Sequence, residues 1–131
     1  MAILTRRRKA ALLRKRRSEL LKRANMVVIR EELFLQSGLK SEDVAKALGT
    51  NRTYFWQALH SQGLGFQEYL SRFRLCHFIE NAAAFEGMQG LEIAERCGFN
   101  DKKVLNKYLK KALGISFKEY MEWIAARGPS T

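Results

Sequence analysis

Apolar positions recur along this chain every three or four residues, and the alternation that marks a strand is absent. The longest such run is 66–85, where Phe66, Tyr69, Leu70, Phe73, Cys76, Phe78, Ile79, Ala82 and Ala83 predict one long helix. Glycines and cap-type residues cut the rest into shorter pieces. Asn25 is placed to cap a helix over about 26–36, which Ser37-Gly38 ends. Ser41-Glu42-Asp43 opens a short helix that Gly49 stops, and Asn51 caps another running to about Ser61. Beyond Gly87 and Gly90, helices are expected over about 90–97, 101–113 and 117–126, divided by Gly98, Gly114 and the cap Ser116.

The start of the chain reads differently. Residues 5–23 contain no Gly or Pro and are rich in helix formers. Their apolar members, Ala10, Ala11, Leu12, Leu13, Leu20 and Leu21, form only a weak stripe, so a helix there is marginal without a partner.

Comparing the two halves reveals a repeat. Val44-Ala45-Lys46-Ala47-Leu48-Gly49 matches Ile93-Ala94-Glu95-Arg96-Cys97-Gly98 at an offset of 49, where Asn51 also matches Asn100. Phe66-Gln67-Glu68-Tyr69-Leu70 matches Phe117-Lys118-Glu119-Tyr120-Met121 at an offset of 51. Two single-residue length differences, most simply around the recognition helices, account for the drift. Each half has the pattern of a helix-turn-helix. A small residue (Ala45, Ala94) stands where two helices cross closely, apolar residues flank it, and a glycine (Gly49, Gly98) permits a left-handed turn. Phe55, Ala58 and Leu59 anchor the following helix in the first half, and Leu105, Tyr108 and Leu109 do so in the second. The expected fold is all-α: two helix-turn-helix subdomains joined by a long connecting helix, about seven helices in all.

The chain resembles the paired helix-turn-helix domain of the AraC/XylS transcription regulators. The carrying segments are Glu42–Gly49, Phe66–Leu75, Leu91–Phe99 and Gly114–Tyr120, and the resemblance covers about residues 26–124. It departs from the family pattern, which has alanine where Phe78 stands, phenylalanine at Leu105 and Leu109, and proline at Phe117. The loop after Leu59 is one residue short. The resemblance implies a bacterial, cytoplasmic DNA-binding domain in which both recognition helices enter adjacent major-groove segments, about 34 Å apart, held by the connecting helix. It divides the chain into a basic tail or linker, 1–23, and a DNA-binding domain, 24–131. Within that domain the first helix-turn-helix covers about 41–61, the connecting helix 66–85 and the second helix-turn-helix 90–113.

On that pattern the first reader presents Arg52, Thr53, Trp56 and Gln57. Gln suits adenine and Arg suits guanine or a phosphate, while Trp56 either packs on the connecting helix or touches a thymine methyl or sugar edge. The second reader presents Asn100, Lys102, Lys103, Asn106 and Lys107. Lysine reads bases less well than arginine, so this half is expected to supply phosphate affinity more than sequence choice. Ser41, Asn51, Lys110 and Lys111 are further candidates for phosphate contacts. RNA polymerase and a sensor or membrane-anchored module are partners that such a regulator would call for.

Charge sharpens this picture. Of 24 Lys/Arg and 13 Asp/Glu, ten basic residues and one acid fall in 1–23, a net +9 that leaves only +2 for everything after. The basic tail, after Met1-Ala2-Ile3-Leu4, would suit the cytoplasmic flank of a membrane anchor, a non-specific DNA arm, or a solvated leader. A basic interaction module that binds RNA, membrane or protein without reading bases is the alternative to a DNA regulator. Cys76 and Cys97 each sit in an apolar stretch and are expected as buried thiols. With His60 and His77 they lack zinc-site spacing, and no phosphate-cradling loop or nucleophile motif appears, so neither a metal, a cofactor nor catalysis is expected.

Overall fold

The computed structural model describes residues 2–127, which are helical with no strand among them. The helices are α1 (Ala2–Arg30), α2 (Ser41–Ala47), α3 (Arg52–Ser61), α4 (Phe66–Asn81), α5 (Gly90–Arg96), α6 (Lys102–Leu113) and α7 (Phe117–Arg127), with short 3-10 turns at Leu33–Leu35 and Ala82–Phe85. Met1 and residues 128–131, at the outer limits of the expected tail and domain, lie outside the described residues. Among the described residues no helix is long and apolar enough to cross a membrane.

Three local expectations need correction. Asn25 caps nothing: α1 runs through it from Ala2, and the chain leaves the helix at Arg30, with Glu32 at a left-handed φ of 51°. The cause is tertiary, since the Asn25 side chain accepts a hydrogen bond from the Tyr69 hydroxyl at 2.7 Å. A stripe at Leu13, Arg17, Leu20, Ala24 and Val28 continues across the supposed boundary, and its last two members are wholly buried. Second, Ser41 is the first residue of α2 rather than its cap. Lys40 stands at the cap, its N–H donating to the Asp43 carboxylate at 2.9 Å. Third, the helix expected over 66–85 ends at Asn81 and tightens into the 3-10 turn.

The chain forms two compact units. One comprises the chain up to Leu33 together with Leu39–Tyr69, so it includes α1, α2, α3 and the first turn of α4. Its centre is Phe55, wholly buried, with Phe66 and Tyr69 meeting its ring edge-on at 6.1 Å. α1 packs chiefly on α3, which supplies the partner that its weak stripe lacked. Arg23 ties α1 to the end of α2 by donating to the Leu48 carbonyl at 2.8 Å.

The other unit comprises Phe34–Gly38 and the chain from Leu70 onward. Arg74, buried at 4% exposure, holds the 34–38 strap: its guanidinium donates to the carbonyls of Phe34 (2.6 Å) and Gln36 (2.8 Å) and lies over the Phe99 ring. Burial lowers its pKa, opposed by the electrostatic influence of Tyr108. Phe78, Leu105, Leu109 and Phe117, the positions that depart from the family pattern, share one core cluster. The Phe78 and Phe117 rings lie 5.8 Å apart, so added aromatic volume there offsets the smaller leucines on α6.

The two thiols differ. Cys97 is wholly buried, and burial pushes its pKa up to about 12. Cys76, expected to be buried, is exposed: Leu75, Phe78 and Ala82 take the core face of this stretch and turn Cys76 to the other side.

Candidate nucleic-acid interface

Both helical turns are built the same way. In the first, the Thr50 N–H bonds to the Ala45 carbonyl (2.9 Å) and the Gly49 N–H to the Lys46 carbonyl (3.0 Å), with Gly49 at φ 71°. In the second, the Phe99 N–H bonds to Ala94 (2.9 Å) and the Gly98 N–H to Glu95 (3.1 Å), with Gly98 at φ 90°. This is the 6→1 and 5→2 pairing that closes a helix over a left-handed residue. Ala45 and Ala94 are both buried, as close helix crossing demands.

The structure locates the length difference between the halves. Asn51 caps α3 by accepting from the Tyr54 N–H, and Asp101, not Asn100, caps α6 by accepting from the Val104 N–H, each at 2.9 Å. The second half therefore gains one residue inside the turn, at Asn100, which is exposed immediately before the cap. The other gained residue falls between Leu109 and Phe117, where α6 runs on to Leu113 and the connection to the next helix is correspondingly short.

On α3, Phe55, Ala58 and Leu59 face the core. Arg52, Thr53 and Trp56 occupy the opposite, exposed face, with Gln57 half-buried at its border. Trp56 is 57% exposed and stacks on His60 one turn later (centroids 4.7 Å apart, planes at 9°), so it is not buried beneath another helix. His77, the other imidazole, meets Phe34 edge-on at 5.8 Å.

On α6, Leu105 and Leu109 face the core, while Lys103, Lys107 and Lys110 follow one another at i, i+4, i+7 on an exposed face. Lys111 is exposed beside them. Two expected site residues are partly occupied within their own unit. The Lys102 stem crosses Gly90 so closely that a Cβ there would come within 2.6 Å of its Cδ, and its Nζ lies 5.6 Å from the Phe117 ring centroid. Asn106 accepts the Phe117 backbone N–H at 2.8 Å through its side-chain carbonyl, leaving its amide N–H groups. Lys107 is exposed, with Nζ 5.3 Å from the Tyr108 centroid.

One part of this surface escaped the sequence reading. Gln57 borders a cleft of about 510 Å³ whose other wall is α1, with Arg16, Arg17, Arg23, Thr50 and Tyr54 among its lining residues. The detectable signal was an arginine at 17 inside the stripe of Leu13, Leu20 and Ala24.

A family model described as a helix-turn-helix domain matches residues 44–122. Comparison with curated proteins yields no match. Among solved structures, the chain is similar to the C-terminal domain of AraT, a response regulator from Geobacillus stearothermophilus. The two are 28% identical over 79% of this chain and 84% of that one, with a TM-score of 0.59.

Proposed function

The chain belongs to the AraC-type helix-turn-helix family, DNA-binding domains of transcription regulators, and from that premise we propose that it recognises a particular duplex sequence through α3 and α6. The observation that carries this reading is the duplicated turn with two outward polar faces. Each turn buries its Ala and anchors its second helix by two apolar positions, which leaves one side of α3 and one side of α6 free for a groove.

The two faces differ in chemistry. Arg52 and Gln57 on α3 are suited to paired hydrogen bonds with guanine and adenine edges. The lysines of α6 are point charges suited to phosphates, so α6 contributes affinity and α3 contributes choice. Selection from a randomised duplex pool, followed by competition against random DNA at moderate salt, tests this. A selected sequence preferred by about a thousandfold or more is the expected result. Equal competition by random DNA would overturn sequence recognition.

A further inference from the structure

We propose that the cleft between α1 and α3 is a phosphate-binding site, in which Arg16 and Arg17 clasp a backbone phosphate of the duplex whose groove α3 occupies. The proposal rests on the reading of α3 as a duplex reader and adds a contact from outside both helix-turn-helix turns. Its first support is charge placement: Arg16, Arg17 and Arg23 converge on one cleft, with Glu19 the only acid lining it. Arg23 is engaged with the Leu48 carbonyl, which fixes the α1 wall against the end of α2.

The second support is an orphaned donor. The Nε of Arg17 is buried and has no hydrogen-bond partner. A buried N–H left unpaired is unfavourable, more so on a cation, so the Arg17 guanidinium gains by turning its Nε–H towards an anion that enters the cleft. Arg17 also takes a place that apolar spacing would give to a leucine, between Leu13 and Leu20 on the face turned to α3. A guanidinium there gains nothing as core. It gains a fork of donors aimed into a cleft.

Position supplies the third support. Tyr54 and Gln57 lie on the opposite wall, so the cleft borders the face of α3 that meets bases. A helix seated in a major groove has a phosphate strand along each flank, and this cleft lies on one flank of α3. The hydroxyls of Thr50 and Tyr54 and the Gln57 amide offer further donors to phosphate oxygens.

The test measures binding of the full chain to a selected duplex and to a random 30-bp duplex between about 50 and 200 mM salt. Arg17→Gln and, as a second variant, Arg16→Gln are compared with Arg14→Gln, which removes the same charge from an exposed α1 position outside the cleft lining. Far-UV helicity checks that all three fold. The expected result is a salt slope shallower by up to about 0.9 for each cleft variant, since the two arginines share one phosphate contact, with equal loss on both duplexes. Arg14→Gln should leave the slope nearly unchanged. If it matches the cleft variants, the attraction is diffuse and the site is overturned. Inorganic phosphate distinguishes the other source. If it raises the melting temperature of the intact chain but not of Arg17→Gln, while duplex slopes are equal, the cleft takes a free anion and the backbone assignment falls. Failure of the α3 reading looks different, as an intact chain with no preference between the two duplexes.

Discussion

Asn106 and Phe117 are joined by a 2.8 Å hydrogen bond in which the Asn106 side-chain carbonyl accepts the first backbone N–H of α7. A position expected to face bases thus also fixes the start of the next helix. Asn106→Ala leaves that N–H unpaired and should lower stability by about 1–3 kcal/mol. Asn106→Asp keeps the acceptor and places a negative charge favourably at a helix N-terminus, so its thermal midpoint should stay near that of the parent. The same carboxylate stands among the α6 lysines and should weaken duplex binding. An Asn106→Ala chain with unchanged melting would show that the bond contributes nothing.

Gln57 and the α6 lysines should separate choice from affinity. Gln57→Ala is expected to reduce preference for the selected duplex by about 1–3 kcal/mol, with the loss confined to one or two base positions. Lys103→Gln and Lys107→Gln should weaken every duplex alike and flatten the salt slope by about 0.9 each. Lys102, whose stem crosses Gly90 and whose ammonium lies over the Phe117 ring, should matter less to that slope. Fluorescence anisotropy on matched and mismatched duplexes reads all four, and an unchanged specificity ratio in Gln57→Ala would remove it from base reading.

Most of the fold was legible because its signals are local. Ala45, Gly49, Phe55 and Leu59, repeated as Ala94, Gly98, Leu105 and Leu109, each report a constraint within a few residues, and each lies where its spacing placed it. What was hidden depends on distant partners. Asn25 is a good cap in isolation, but its side chain is taken by Tyr69, 44 residues away, and the buried Ala24 and Val28 carry the helix past it. Asn100 and Asp101 are both cap-type residues, and the side-chain bond to Val104 settles between them. Arg17 looked like one more charge in a basic run until α3 closed over its side.

The two turn glycines should also differ, although the repeat makes them equivalent. Gly49→Ala meets nothing within 4 Å and should cost only about 1–2 kcal/mol for a left-handed alanine. At Gly98 the added Cβ would collide with the Phe34 carbonyl and come within 2.8 Å of the Arg74 Nε. Overpacking there adds about 1–3 kcal/mol, and displaces the bond that holds the 34–38 strap. Urea unfolding should show Gly98→Ala much the weaker protein. Equal midpoints would mean that the strap yields without cost.

Thiol chemistry offers a check on burial. A thiol reagent at neutral pH should modify Cys76 in the native protein and leave Cys97 untouched until unfolding, and Cys76→Ser should abolish the fast reaction. Because burial raises the Cys97 pKa to about 12, the unfolded chain loses this proton first as pH rises. The native state then binds more protons than the unfolded one, so stability present below the ordinary thiol range should decline between there and about pH 12. A Cys97→Ala chain should lack that part of the decline.

The basic start of the chain can be divided by where α1 meets α3. Leu20 and Leu21 are half-buried, Ala24 and Val28 are wholly buried, and Arg23 bonds to the Leu48 carbonyl, whereas Arg6, Arg7, Arg8 and Lys9 are exposed. Removing residues 2–23 therefore takes away part of the first unit along with the charge. Half-burial of two leucines and one hydrogen bond together contribute about 3 kcal/mol, so that truncation should melt roughly 10 °C lower or more. Removing only residues 2–12 spares every residue lining the cleft and should leave the melting temperature within a degree or two. The shorter truncation is thus the one that reports on charge alone. If Arg6–Lys9 act as a DNA arm, its affinity for random and selected duplexes should fall together at low salt and recover towards parity at high salt. If they serve an anionic membrane surface, duplex binding stays constant and attachment to anionic vesicles is lost. A 2–23 truncation as stable as the intact chain would contradict the packing of α1 on α3, and the cleft between them would have no fixed wall.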